Sequence, residues 1–255
     1  MSTPDGGHRD AAIAALSTRE YRGAGDEYAR AGWRVLADPR DGVGTFDADE
    51  RGWVGVGLQY LLVNGLCYRV AVASDRATHR AVEGVAVARD LEHGLDHPVQ
   101  HACLREFVAD FRTAGGLDDA SEAYDAAADA YRDAARSVDD PQRWATSPLF
   151  RAAEAPLQQV ARGQANGEIA VTWDDLHGSD PSDPGRFLAH RATYKRQRFR
   201  GLLDRAVDDG HLAAPRGTTE YDTDHHRCPH CESTDVNWVG ERVLCLRCSR
   251  PTAEQ

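Results

Sequence analysis

Cys228-Pro229-His230-Cys231 and Cys245-Leu246-Arg247-Cys248 stand thirteen residues apart, and this pair of motifs decides how the C-terminal part of the chain is read. Each Cys-x-x-Cys is short enough to place both thiolates on one ion. Between them, Val236-Asn237-Trp238-Val239 and Arg242-Val243-Leu244 flank Gly240-Glu241, a strand–turn–strand pattern that folds the second motif back onto the first. Four soft sulfur ligands in tetrahedral array select zinc. With all four positions filled by protein, no coordination site is left for a substrate, so the ion is expected to be structural. His225, His226 and His230 crowd the motif and are either alternative ligands or solvated loop histidines.

Residues 226–250 resemble a zinc ribbon in the order knuckle, hairpin, knuckle. A rubredoxin-like iron site prefers glycine after each knuckle, whereas Glu232 and Ser249 follow here. The resemblance implies one structural zinc held by Cys228, Cys231, Cys245 and Cys248.

The 255 residues suffice for one sizeable core and a small appendage. The chain has one lysine, Lys195, against 29 arginines, 28 Asp against 13 Glu, and a net charge of −11. This balance resembles proteins of salt-accumulating archaea, which implies a working solvent of molar salt with charges screened over ~3 Å. Cys67 and Cys103 lie in apolar helical contexts, where lone thiols behave as small hydrophobes. No apolar stretch follows the polar Met1–Gly7 opening, and a cytoplasmic location is expected. Trp53–Tyr68 is uncharged but interrupted by glycines, Gln59 and Asn64. It falls short of the ~20 apolar residues of a membrane span and reads as a buried central helix.

After a polar tail (1–9), nearly everything to about residue 168 has helical periodicity, with expected helices at 10–16, 18–37, 53–73, 75–93, 98–114, 118–137 and 141–166. Asp38–Gly52 is a Gly/Asp-rich loop. Gly94 ends one helix, Asp96 is placed to cap the next with Pro98 in its first turn, and Asp140-Pro141 opens the last. Tyr21, Ala24, Gly25 and Tyr28 have the same offsets as Leu61, Asn64, Gly65 and Tyr68, and as Leu104, Phe107, Val108 and Phe111. Residues 10–148 therefore resemble tetratricopeptide repeats or the longer-helix repeats of the soluble attachment-protein family. This implies stacked helical hairpins in which Tyr28, Tyr68 and Phe111 are equivalent, and a protein partner on the helical domain. An antiparallel bundle with aromatic core residues is the other reading of the same pattern.

Beyond residue 168, Glu168–Trp173 alternates as a strand does, Asp174–Gly178 suits a brief helix, and Arg186–Asp209 a long one. His211-Leu212 and Thr219–Tyr221 flank Ala213–Gly217 like a hairpin tip. The order over 149–223 resembles a winged helix–turn–helix module, the alternative being a continuation of the helical array with an extended linker. Residues 186–250 carry 12 Arg/Lys against 9 Asp/Glu in an otherwise acidic chain. The excess gathers on the long helix, where Arg191, Lys195, Arg196, Arg198 and Arg200 are expected to contact nucleic-acid phosphates. The competing reading docks these cations on the acidic helical domain.

No nucleophile motif, phosphate loop or nucleotide fingerprint is present. Gly23-Ala24-Gly25 and Gly55-Val56-Gly57 lack the strand–turn–helix setting of a dinucleotide site, and no small-molecule substrate is evident. His93, His97 and His101 have metal-ligand spacing, but Gly94 and Pro98 break the helix between them. The expected architecture is mainly α, with a repeat-like N-terminal domain, a small winged-helix module and a C-terminal β zinc ribbon. The expected function is a non-enzymatic adaptor in transcription or its regulation. It would bind protein through the helices and nucleic acid through the basic modules. The alternative is a purely protein-binding scaffold.

Overall fold

The computed structural model describes residues 5–37 and 53–254; the expected Asp38–Gly52 loop lies outside them. The helical body comprises α1 (His8–Ser17), α2 (Tyr21–Ala37), α3 (Trp53–Val70), α4 (Ser74–Glu92), α5 (Pro98–Gly115), α6 (Ala120–Ala134), α7 (Pro141–Ala145), α8 (Pro148–Arg162), α9 (Trp173–Leu176) and α10 (Pro184–Asp208). α3 has almost no polar side to turn outward, and a helix apolar all round is stable only at the centre of a body. It packs against α2, α4, α5, α8 and α10. Its one buried amide, Asn64, donates from Nδ2 to the Gly25 carbonyl at 2.7 Å. No helix among the described residues is long and apolar enough to cross a membrane.

Helix ends follow local chemistry. Asp140 accepts from the Arg143 N–H and Asp183 from the Arg186 N–H, each followed by proline at the first helical position. The cap of α5 is His97 rather than the expected Asp96; its Nδ1 accepts from the Val99 N–H. The single helix expected over 141–166 is two, because Pro148 keeps Ser147 extended.

The shared offsets of the three helices reflect real packing in the wrong register. Tyr68 on α3 packs where a Cβ on Gly25 of α2 would lie 3.3 Å from its ring, and a Cβ on Gly84 of α4 would lie 2.3 Å from the ring of Phe111 on α5. Tyr68 and Phe111 thus both belong to the second helix of a packed pair and meet a small residue on the first. Tyr28 on α2 is buried like the other two, but it faces the ring of Tyr60 on α3, with centroids 5.9 Å apart, rather than a glycine. Three equivalent positions are therefore not found. Nor is the array open: α8 and α10 return to pack on α3, whereas solenoid units touch only their neighbours. One apolar core runs from Ala12 on α1 to Leu212 beyond α10.

The winged-module expectation fails at two elements. Glu168–Trp173 forms no strand; Trp173 starts α9, which Thr172 and Asp175 close with a reciprocal capping box. Ala213–Gly217 is not a hairpin tip but part of a strap laid between helices and ribbon. Leu212, Ala213 and Ala214 are buried. Their backbone groups are met by the side chains of Tyr21, Gln159, Arg162 and Ser249. The strap continues into β1 (Thr218–Glu220), which pairs antiparallel with β3 (Val236–Val239). β3 pairs in turn with β4 (Arg242–Cys245), and β2 (His226–Arg227) pairs separately with β5 (Ala253–Glu254). Asn237 grips the strap, donating to the Pro215 carbonyl at 2.9 Å and accepting from the Gly217 N–H at 2.8 Å. A Cβ on Gly217 would come within 1.8 Å of the Trp238 carbonyl oxygen, so only glycine permits this approach. Ile13 of α1 joins Ala214, Val239 and Leu244 in a second small core, which seats the ribbon on the helices.

Candidate metal centre

The β3–β4 hairpin forms where the sequence predicts it, with Gly240 at φ 61° in the turn, and it brings the two cysteine pairs together. Sγ of Cys228 lies 3.5 Å from that of Cys248, Cys231 lies 3.5 Å from Cys245 and 3.7 Å from Cys248, and all four fall within 4.8 Å of one another. Sulfurs ~2.3 Å from a central zinc lie ~3.8 Å apart along the edges of a tetrahedron, so the set fits that ion. The four thiols are free, not disulfide-bonded.

The two knuckles repeat one backbone design. The Cys228 carbonyl accepts from the Glu232 N–H at 2.9 Å while the Cys228 N–H donates to the Ser233 carbonyl at 2.9 Å. Cys245 does the same with Ser249 at 3.0 Å and Arg250 at 2.7 Å. Glu232 and Ser249, the residues standing where glycine is favoured, adopt the left-handed φ of 60° and 58° that each turn requires. Burial raises the pKa of Cys231, and the hydrogen bond that the Cys245 thiol donates to Cys248, together with burial, raises that of Cys245. Metal binding therefore has to displace protons, and affinity is expected to fall in acid. Cys228 and Cys245 are buried, Cys231 is exposed, and the three nearby histidines are outside the ligand cluster. Asp235 braces the second knuckle through Arg247, with the Asp235 Oδ2 to Arg247 Nη2 distance at 3.0 Å.

The five cations predicted to form a phosphate-binding face are divided by the structure. Arg191 and Lys195 are each 1% exposed and point into the helical body, so they cannot serve as surface contacts. Arg191 forms a fork on Glu106 with both bonds at 2.8 Å and also reaches Glu154 at 3.2 Å. Lys195 Nζ donates to Asp110 Oδ2 at 2.6 Å and to the Ala153 carbonyl at 2.7 Å, with Glu106 Oε1 at 2.8 Å. Tyr131 donates to Glu106 and Tyr124 to Asp110. His177 Nε2 lies 3.0 Å from Glu154 Oε1 without hydrogen-bond alignment. Burial would lower the pKa of both cations, but Glu106 for Arg191, and Asp110 with Glu106 for Lys195, hold them raised. Burial also pushes Glu106 up, yet Arg191 and Lys195 outweigh it and leave Glu106 lowered. At Asp110 burial wins and the carboxyl is raised. The network is sealed from solvent and ties α5, α6, α8 and α10 together.

Arg196, Arg198 and Arg200 are exposed, and Arg196 pairs with Asp125 at 2.9 Å. Removing the two buried cations leaves ten Arg/Lys against nine Asp/Glu over residues 186–250, so the positive excess largely disappears from the surface. The sequence signal for the network was available. Glu106 and Asp110 are four apart on a helix rich in core residues, and Arg191 and Lys195 are four apart on its partner.

The three spaced histidines go separate ways. His93 Nδ1 meets the Arg89 carbonyl, His97 caps α5 and packs against Trp144, and His101 Nε2 meets the Leu95 carbonyl. Among the described residues the four cysteines form the one cluster whose geometry could hold a metal ion. Comparison with protein-family models, curated proteins and solved structures finds no match to this chain.

Proposed function

We propose that this chain is a non-enzymatic, zinc-stabilised scaffold that binds a protein partner, with the ribbon fixed to the helical body by the buried strap. The observation that carries this reading is where the cations go. Arg191 and Lys195, two of the five cations that pointed towards nucleic acid, are consumed inside, while the ribbon side keeps aromatic surface, with Tyr221 48% and Trp238 38% exposed. Exposed aromatic side chains on a rigid β platform are suited to a protein interface. The closed set of four thiolates supports a structural role for zinc rather than a catalytic one.

A nucleic-acid role, and with it one in transcription, has narrower support: Arg198 and Arg200 are exposed and carry no ion pair among the described residues. Co-purification of the full chain in native salt, with and without nuclease, tests both readings. The scaffold reading expects a stoichiometric protein partner that is lost in Tyr221→Ala/Trp238→Ala and retained in Arg198→Gln/Arg200→Gln after nuclease. Recovery that vanishes with nuclease or with the arginine pair would instead establish the nucleic-acid reading.

A further inference from the structure

A cavity of about 240 Å³ opens between α8, the segment leading into α9, and the strap; it is lined by Gln158, Arg162, Ile169, Thr172, Trp173 and Arg216. Two of these residues are unusual together. Arg162 is 8% exposed, and its hydrogen bond runs from Nη2 to the Ala214 carbonyl at 2.6 Å. Arg216 bonds neutral groups, namely the Gly167 carbonyl, Thr219 Oγ1 and Tyr221 Oη, each at 3.4 Å. Neither guanidinium has a carboxylate within ion-pair distance among the described residues. A buried guanidinium beside a second one is costly without an anion. Elsewhere this molecule supplies one: Arg191, more deeply buried, has Glu106 and Glu154.

We infer that this cavity is an anion site for a phosphate monoester carried on a flat ring, such as a nucleoside monophosphate, with Arg162 and Arg216 holding the phosphate and Trp173 stacking on the ring. Two guanidinium forks match a dianionic phosphate better than a carboxylate. Trp173 is 44% exposed at the mouth, backed by His177 at 3.8 Å between centroids, which leaves its other side for a ring. Around the cavity, Asp175 accepts from the Thr172 N–H and hydroxyl and Glu168 accepts from Tyr221 Oη, and neither carboxylate lies within ion-pair distance of Arg162 or Arg216. Burial, then Arg216, holds the Arg162 pKa down to about 10, as expected for a cation lacking its counter-ion. The site does not depend on the protein partner proposed above.

The test uses the full zinc-loaded chain with adenosine monophosphate, inorganic phosphate, adenosine and a 5′-phosphorylated oligonucleotide, read by calorimetry, thermal shift and tryptophan fluorescence. The monophosphate is expected to raise the melting temperature and quench fluorescence, with the quench absent in Trp173→Phe. Arg216→Gln should weaken binding ~10–100-fold, the worth of a charge-assisted contact. Trp173→Ala should weaken the monophosphate ~10-fold while changing inorganic phosphate little. Arg162 also supports the strap, so the Arg216 variant carries the test. Tighter binding of the oligonucleotide that still requires its 5′-phosphate would identify a strand end as the source of the same group. No response to the monophosphate or phosphate at low-millimolar concentration, or unchanged affinity in Arg216→Gln, overturns the inference.

Discussion

Lys195→Met should be among the most damaging single substitutions in this chain, although its sequence context suggests an exposed basic helix. Lys195 Nζ holds Asp110 and the Ala153 carbonyl, with Glu106 at 2.8 Å. Without it, Glu106 keeps the Arg191 fork, but Asp110 retains only the Tyr124 hydroxyl as its side-chain partner. Removing one member of a buried pair costs ~3–5 kcal/mol. For a chain of this size that corresponds to a melting-temperature drop of about 6–20 °C. The penalty should depend on pH with a definite sign. Burial raises the folded-state pKa of Asp110 above its ordinary value even in the parent, and loss of Lys195 raises it further. A group with a raised folded pKa takes up a proton on folding, so the variant gains stability as pH falls from that pKa toward ~4, by up to ~1.4 kcal/mol per pH unit. The gap between variant and parent should therefore be widest near pH 8 and narrow on acidification, and Asp110→Asn in the same background should recover much of it. Thermal unfolding followed by circular dichroism in zinc-replete buffer reads all three. A variant melting with the parent at pH 8, or a penalty that ignores pH, would refute the buried-network argument.

Other expectations concern single sites. X-ray absorption of the zinc-loaded protein should show four sulfur ligands at ~2.3 Å. Cys245→Ser should unfold the ribbon, open the strap to proteolysis near residues 211–217, and leave most helical signal intact. Gly84→Ala should destabilise by ~1–3 kcal/mol even though alanine is the better helix former, because its Cβ would sit 2.3 Å from the Phe111 ring; chemical denaturation measures it. Phe111→Ala should cost ~3–5 kcal/mol in the same assay. His211 is half-buried, with both ring nitrogens out of solvent and neither hydrogen-bonded, and its pKa is lowered to about 4 by burial and by Arg19 and Arg250 against Asp209. The unfolded chain therefore takes the proton first. Stability should fall as pH drops from ~6.5 toward 4, and His211→Asn should flatten that limb in melts run at fixed zinc occupancy.

What the sequence could and could not disclose follows from the range of each interaction. The ribbon was legible because its determinants are local: the cysteine spacing, the alternation of Val236–Val239 and the glycine at 240 lie within about two dozen residues. Helix existence was legible for the same reason, while register between helices was not. Gly25 opposite Tyr68 and Gly84 opposite Phe111 are pairings across forty-three and twenty-seven residues, and offsets alone could not say which helix of a pair held the aromatic. The basic helix shows the limit most clearly. Charge along a sequence does not state which way it faces. Arg191 and Lys195 lie on the same helix as the exposed Arg196, Arg198 and Arg200, and what turns them inward is Glu106 and Asp110, eighty-five residues earlier. The strap was missed because its apolar residues and proline look like a loop tip until two partners close over it, Gln159 and Arg162 from one side and Asn237 from the other. Those same contacts leave Arg162 buried without an acid, a feature that emerges only when helix, strap and ribbon are assembled.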